Sequence, residues 1–244
     1  MATRQFRPGL VATLAMLVVA AVCLQAALWQ LERGNTKART QAAYKERVAQ
    51  GDQTLGALLA LEENNHYPVR VSGTFDNRHN VLLDNRTFNG VAGYHLLTPL
   101  RSDRGHWVLV NRGWIPRGPD RNVLPDIPPI EGPATVIGRT YVYSPRTFVL
   151  AEDDLSRPTW PLRVQKVEME AIAPLLGVEL APFEIRVDPD ATLEQSGQLP
   201  RLWQDTVMTP ERHHAYAVQW FGLAATVAIF YIVVSFRRRP RNTV

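Results

Sequence analysis

Cysteine is almost absent from this chain of 244 residues: Cys23 stands alone. One thiol excludes an intrachain disulfide and any Cys-x-x-Cys redox or metal site, and it deprives a copper-delivery role of its usual thiolates. Other signatures are missing too. His66, His79, His95 and His106 are scattered with no His-Glu-x-x-His spacing, and no serine lies in a nucleophile-elbow context. There is no internal repeat, low-complexity tract or Gly-rich phosphate loop. The expectation is a chain that is not an enzyme, with those histidines as dispersed surface polar groups.

What is present is apolar length. A bilayer core about 30 Å thick needs roughly 20 apolar residues of helix, and Leu10 to Leu31 and Tyr216 to Phe236 both qualify. The first run is too long for a signal-peptide core and no small-x-small cleavage site follows it; Val22 before Cys23 argues against a lipoprotein site. Basic residues flank the runs on their outer sides: Arg4 and Arg7 before the first, Arg237, Arg238, Arg239 and Arg241 after the second. Cationic flanks are retained on the cytoplasmic side, so both termini are expected there, with the intervening region in a periplasm. All 23 acidic residues lie between Glu32 and Arg212 with all but six of the 27 Lys and Arg, giving that region a charge near −2. The overall charge of +4 is therefore a topology signal and not a nucleic-acid footprint. The few residues before the first run leave no room for a transit peptide, which favours a bacterial inner membrane over a mitochondrial one.

The expected organisation is a transmembrane helix at 10–31, a periplasmic α+β domain at 32–212, a second transmembrane helix at 215–236 and a basic cytoplasmic tail at 237–244. Asn35 to Gln50 reads as a helix continuing from the first span until Gly51. Tyr67 to Phe75, Asn80 to Asn85, Tyr94 to Leu100, His106 to Val110 and Thr135 to Val142 are short β-branched or aromatic runs between turn residues. They predict a predominantly antiparallel sheet. A strand region at Trp160-Pro161, a helix over Val167 to Leu176 ending at Gly177, and a semi-rigid proline-rich loop from Pro116 to Pro133 complete the outline.

Two places invite a functional reading. Asn111-Arg112-Gly113-Trp114 reads as a strand-end turn with Gly113 at positive φ and Trp114 in the core; the alternative gives Arg112 and Trp114 a docking role, since Arg and Trp enrich in binding hot spots. At the head of the second span stand His213 and His214. At about 100° per residue, Tyr216, Ala217, Trp220 and Ala224 share one stripe with His213, while His214 is turned aside and Gly222 lies opposite. Such a stripe suits a flat apolar cofactor, because a neutral imidazole ligates haem iron and aromatic and alanine surface packs on a porphyrin. It equally suits interfacial anchoring and helix packing, as does Trp29-Gln30 at the outer end of the first span.

The ordered set Trp29-Gln30 with Arg33 and Lys37, Gly93-Tyr94 leading to Thr98-Pro99-Leu100, Val110 to Trp114, and His213-x-x-Tyr216 with Gln219-Trp220-Phe221 and Leu223-Ala224 resembles the surfeit-locus family of cytochrome c oxidase assembly factors over nearly the whole chain. The resemblance implies binding of haem a and help with its insertion into the catalytic subunit of a haem-copper oxidase. His213 is the iron ligand carried over by the His-x-x-Tyr spacing, with Tyr216 and Trp220 beside it. His214, where relatives often have an apolar residue, stays open as the alternative ligand. Ala27 replaces a small glycine usual in the family. Expected partners are the oxidase subunit, haem a synthase and membrane lipids, with a homo-oligomer left open. A cofactor-free scaffold that docks through the β domain is the competing function.

Overall fold

The computed structural model describes residues 4–6, 8–121, 123–144, 153–193, 198–203 and 209–238. In chain order the elements are β1 (Arg4–Phe6), α1 (Leu10–Ala49), α2 (Leu55–Leu59), β2 (Pro68–Phe75), β3 (Val81–Phe88), β4 (Val91–Ser102), β5 (Trp107–Pro116), β6 (Pro133–Tyr141), β7 (Leu162–Val164), α3 (Met169–Leu176), β8 (Leu180–Val187), α4 (Pro210–Ser235) and β9 (Phe236–Arg238). They divide into two compact units, Met1–Ala43 with Asp205–Val244, and Tyr44–Gln204.

In the first unit α1 and α4 are each long and apolar enough to cross a membrane. Most of their apolar side chains face outward, among them Leu14, Val18, Leu28, Val218, Ile229 and Phe230. α1 runs on past the apolar segment because Ala, Gln, Lys and Arg are strong helix formers, and it stops before Gly51. α4 begins five residues earlier than the expected span. Pro210 supplies the fixed φ of a first helical position and Glu211 sits at the positive end of the helix dipole. The early start places His213 and His214 inside the helix. Beyond the spans, β1 and β9 pair antiparallel, whereas Arg7 and tail residues 239–244 lie outside the described residues.

The second unit is a seven-stranded sheet in the order β2-β6-β8-β5-β4-β3-β7, with β2 also paired to β4. That extra pairing, Gly73 to Phe75 on Leu100 to Ser102, closes β2, β6, β8, β5 and β4 into a ring. The long β4 makes this possible by pairing with β3 along its first half and with β2 at its end. The sheet is mixed, which corrects the predominantly antiparallel arrangement expected: β5 and β8 are parallel, as are β3 and β7. Both parallel partners are supplied by chain that returns long after the strand it joins, the crossover a parallel pair requires.

Within the ring, Val69, Val71, Phe75, Val108, Val110, Phe183, Ile185 and Val187 form the main core, which Leu55 and Leu58 of α2 complete. A second cluster joins Val81, Leu83, Leu97 and Leu109 to Ile172 of α3. α3 ends as expected at Gly177, whose φ of 66° is left-handed.

Candidate functional site

The two helices of the first unit run antiparallel. At one end Thr13 Oγ1 and the Tyr231 hydroxyl lie 2.6 Å apart, and at the other Gln30 of α1 meets His213 of α4. Buried positions repeat in step, Cys23, Ala27 and Gly34 on α1 against His213, Ala217 and Ala224 on α4. Small residues at such positions let helices approach closely. Gly34 leaves no room for a side chain: a Cβ there would collide with the His214 ring and stand 3.3 Å from His213 Cβ.

His213 is 7% exposed, and its Nδ1 lies 2.7 Å from Gln30 Oε1. A carbonyl oxygen only accepts, so Nδ1 carries the hydrogen and the lone pair of the neutral ring falls on Nε2. That Nε2 is buried and has no hydrogen-bond partner among the described residues. An imidazole with one nitrogen held by an acceptor and the other free is the arrangement of a metal-ligating histidine. His214 differs: its Nε2 is 3.2 Å from Asn35 Oδ1 and is therefore a donor.

The stripe expected on α4 divides. Ala217 and Ala224 are buried with His213, Trp220 is half-buried, Tyr216 is exposed, and Gly222 opens away from neighbouring atoms. The alanines therefore serve helix packing. Gln30, which had read as part of an interfacial anchor, is the residue whose role went unseen; its partner is 183 positions away, and no local pattern announces an antiparallel pairing of that span.

In the second unit Asn111-Arg112-Gly113-Trp114 is not a strand-end turn. β5 continues to Pro116, and its register against β4 shifts from Leu97↔Asn111 to Leu96↔Gly113, leaving Arg112 as the extra residue of a β-bulge. Gly113 has the expected positive φ, 138°, and a Cβ there would sit 2.8 Å from the Pro200 carbonyl. Arg112 is fully buried, and Trp114 is 8% exposed with Nε1 donating to Arg86 O at 3.0 Å.

Beside the bulge lies a buried polar cluster that had no sequence signal. The Glu184 carboxylate accepts from Tyr143 Oη at 2.5 Å, Arg186 Nε at 2.8 Å and Asn111 Nδ2 at 3.3 Å. The Arg186 guanidinium covers the Tyr141 ring at 3.3 Å from its centroid, and His95 packs edge-on against Trp203. His95 is thus partly buried, not a dispersed surface group.

Burial, with Arg86 and then Arg186 nearby, lowers the His95 imidazole from 6.5 to about 3. Its folded value is depressed, so between those limits the unfolded chain binds more protons. The contribution of His95 to stability is complete above about pH 6.5 and is lost as pH falls toward 3, at up to about 1.4 kcal/mol per pH unit. His95→Gln is expected to flatten the fall in unfolding free energy between about pH 6.5 and about pH 4. Denaturant titrations at each pH check this, and an unchanged slope removes His95 as its source.

Comparison with known proteins agrees with the geometry's emphasis on both helices and the domain between them. Residues 17–225 match the family model described as the SURF1 family. The chain is 26% identical to surfeit locus protein 1 of Mus musculus over 92% of its own length and 76% of that protein, and 27% identical to the Homo sapiens protein over 87% and 73%. It is 24% identical to a SURF1-like protein of Rickettsia bellii over 89% of this chain and 88% of that one. With the family match reaching into both long helices and covering the ring of strands, this chain belongs to the SURF1 family.

Proposed function

We propose that this chain is a membrane-bound assembly factor for a haem-copper terminal oxidase that binds haem a transiently through His213 and assists its insertion into the catalytic subunit. One observation supports the reading above all others: His213 is buried with Nδ1 engaged and Nε2 free of any hydrogen bond from the described residues. The residues fit the group, since a neutral imidazole is a standard axial ligand to haem iron. Tyr216 and Trp220 offer ring surface beside it. A single imidazole holds haem reversibly, whereas a bis-histidine site would retain it, so one ligand suits a carrier. The role is binding and hand-over, not catalysis. In this reading α1 and α4 span a bacterial inner membrane with both basic termini cytoplasmic and the strand domain periplasmic, as the flanking charges favour.

The test is purification of His213→Ala from cells that make haem a. Loss of co-purified haem, read from the Soret absorption at equal protein, is the expected result. Undiminished haem with His214 intact would remove His213 from the role.

A cofactor-free scaffold is favoured by a different observation. An open groove of about 840 Å³ in the strand domain is lined by Arg78, Arg101, Asp103 and Trp107, a mixed polar and aromatic surface of the kind that receives a protein partner. Capture of oxidase subunits with no Soret absorption, while haem a synthesis is active, decides for the scaffold.

A further inference from the structure

We propose that Gln30 is the positioning residue of the haem site, its side-chain carbonyl holding His213 in the Nδ1–H tautomer and ring orientation that leave Nε2 as the iron-binding atom. The inference rests on the haem-binding reading above and adds to it a residue on the other helix.

Three observations carry it. Gln30 Oε1 lies 2.7 Å from His213 Nδ1, within the range of a well-formed hydrogen bond. His213 Nε2 is buried and unpartnered among the described residues, so none of them but Gln30 selects the tautomer. An isolated neutral imidazole exchanges between tautomers, and only a fixed acceptor at one nitrogen keeps the lone pair on the other. The neighbouring histidine supplies the contrast. Asn35 Oδ1 faces Nε2 of His214 and not Nδ1, so the same kind of side chain on α1 fixes the opposite tautomer one residue along. Gln30 and Asn35 thus sort the histidine pair: one ring is left with a free Nε2, the other has its Nε2 occupied as a donor. Gly34 lies between these two α1 residues in sequence, and its missing side chain leaves room for the His214 ring.

Orientation by a partner at the far nitrogen does more than select a tautomer. It also raises the basicity of the ligating nitrogen, and loss of such a partner costs about 10- to 100-fold in metal affinity.

The experiment uses the full chain in detergent, with Gln30→Leu, Gln30→Glu and His213→Ala beside the wild type. Two quantities are measured: the tautomer of His213 in haem-free protein, by ¹⁵N shifts of labelled histidine, and the Kd for added ferric haem a. Gln30→Leu is expected to lose the dominant Nδ1–H signature of His213 and to bind haem about 10- to 100-fold more weakly. Gln30→Glu restores an acceptor at the same place, so it is expected to recover the tautomer and most of the affinity and to lower the reduction midpoint of the bound haem. Unchanged tautomer and Kd in Gln30→Leu overturn the positioning role, as does equal loss in Gln30→Leu and Gln30→Glu, since the glutamate keeps an acceptor of the same shape in place. Should His213→Ala bind haem as tightly as the wild type while Gln30→Leu still shifts the tautomer, the haem-binding reading fails and the tautomer assignment stands.

Discussion

Glu184→Ala is expected to destabilise the strand domain by about 3–5 kcal/mol, the cost of breaking a buried ion pair from one side. Against a total of roughly 5–15 kcal/mol for a domain, that is enough to leave a substantial unfolded fraction. Glu184 is fully buried, and three donors converge on its carboxylate from β5, β8 and the chain after β6. Burial opposes the charge on Arg186, yet the Glu184 carboxylate 2.8 Å away, together with Tyr143 and Tyr141, holds the guanidinium above its ordinary value. Burial likewise raises the Tyr143 phenol, and the charge of Glu184 raises it further, so Tyr143 remains a protonated donor. Deleting the carboxylate takes an anion from a buried cation and an acceptor from a buried hydroxyl. Glu184→Gln keeps an acceptor for Tyr143 and loses only the charge, and is expected to cost less, about 1–3 kcal/mol. Denaturant titration followed by tryptophan fluorescence checks both, Trp203 lying 5.3 Å from the Arg186 guanidinium. A Glu184→Ala protein within about 1 kcal/mol of wild type would falsify the role given to this pair.

The same cluster explains where sequence reasoning stopped. β8 escaped notice because Leu180 to Val187 carries Pro182, which demotes a strand, and then Glu184 and Arg186 where alternation calls for solvent-facing residues. In the ring both faces of β8 are covered, so the charges are internal and stabilised by each other and by aromatic rings. The parallel pairs were hidden for a related reason, since periodicity says where strands are and not which distant strand each one joins. The long helices were legible because apolar length and strong helix formers act locally. His213 stood out by its place on a helical stripe, but the Gln30 oxygen beside its Nδ1 lies on another helix. Arg112 misled in a different way: Gly113 correctly announced a positive φ, yet the backbone irregularity was an inserted residue within a strand and not the end of one.

Arg112→Ala is the second large effect, about 2–5 kcal/mol from stranded acceptors and a cavity, and it separates a structural from a docking role. The bulge turns Arg112 inward, where Nη2 donates to the Pro128 carbonyl at 2.8 Å and Nη1 reaches Thr98 Oγ1 at 3.5 Å. Thr98 in turn donates to Asn80 Oδ1 at 2.6 Å, while the Arg112 carbonyl accepts from Arg201 Nε at 2.8 Å. One residue therefore ties the proline-rich loop after β5, the middle of β4 and the segment around Arg201 to a single point of the ring. Truncation leaves buried acceptors unsatisfied and a cavity where a long side chain stood, and both penalties fall in the same place. Arg112→Lys is expected to recover little of the loss, because an ammonium cannot reach divergent acceptors as a planar fork does. Arg70→Ala, which removes a largely exposed partner of Asp52, serves as the contrast at about 0–1 kcal/mol. Unfolding titrations of the three variants measure the ranking, and limited proteolysis shows where the first consequence appears: faster cleavage within 116–133 in Arg112→Ala but not in Arg70→Ala. If Arg112→Ala instead unfolds with the wild type and loses only oxidase capture, the arginine serves a partner and not the ring.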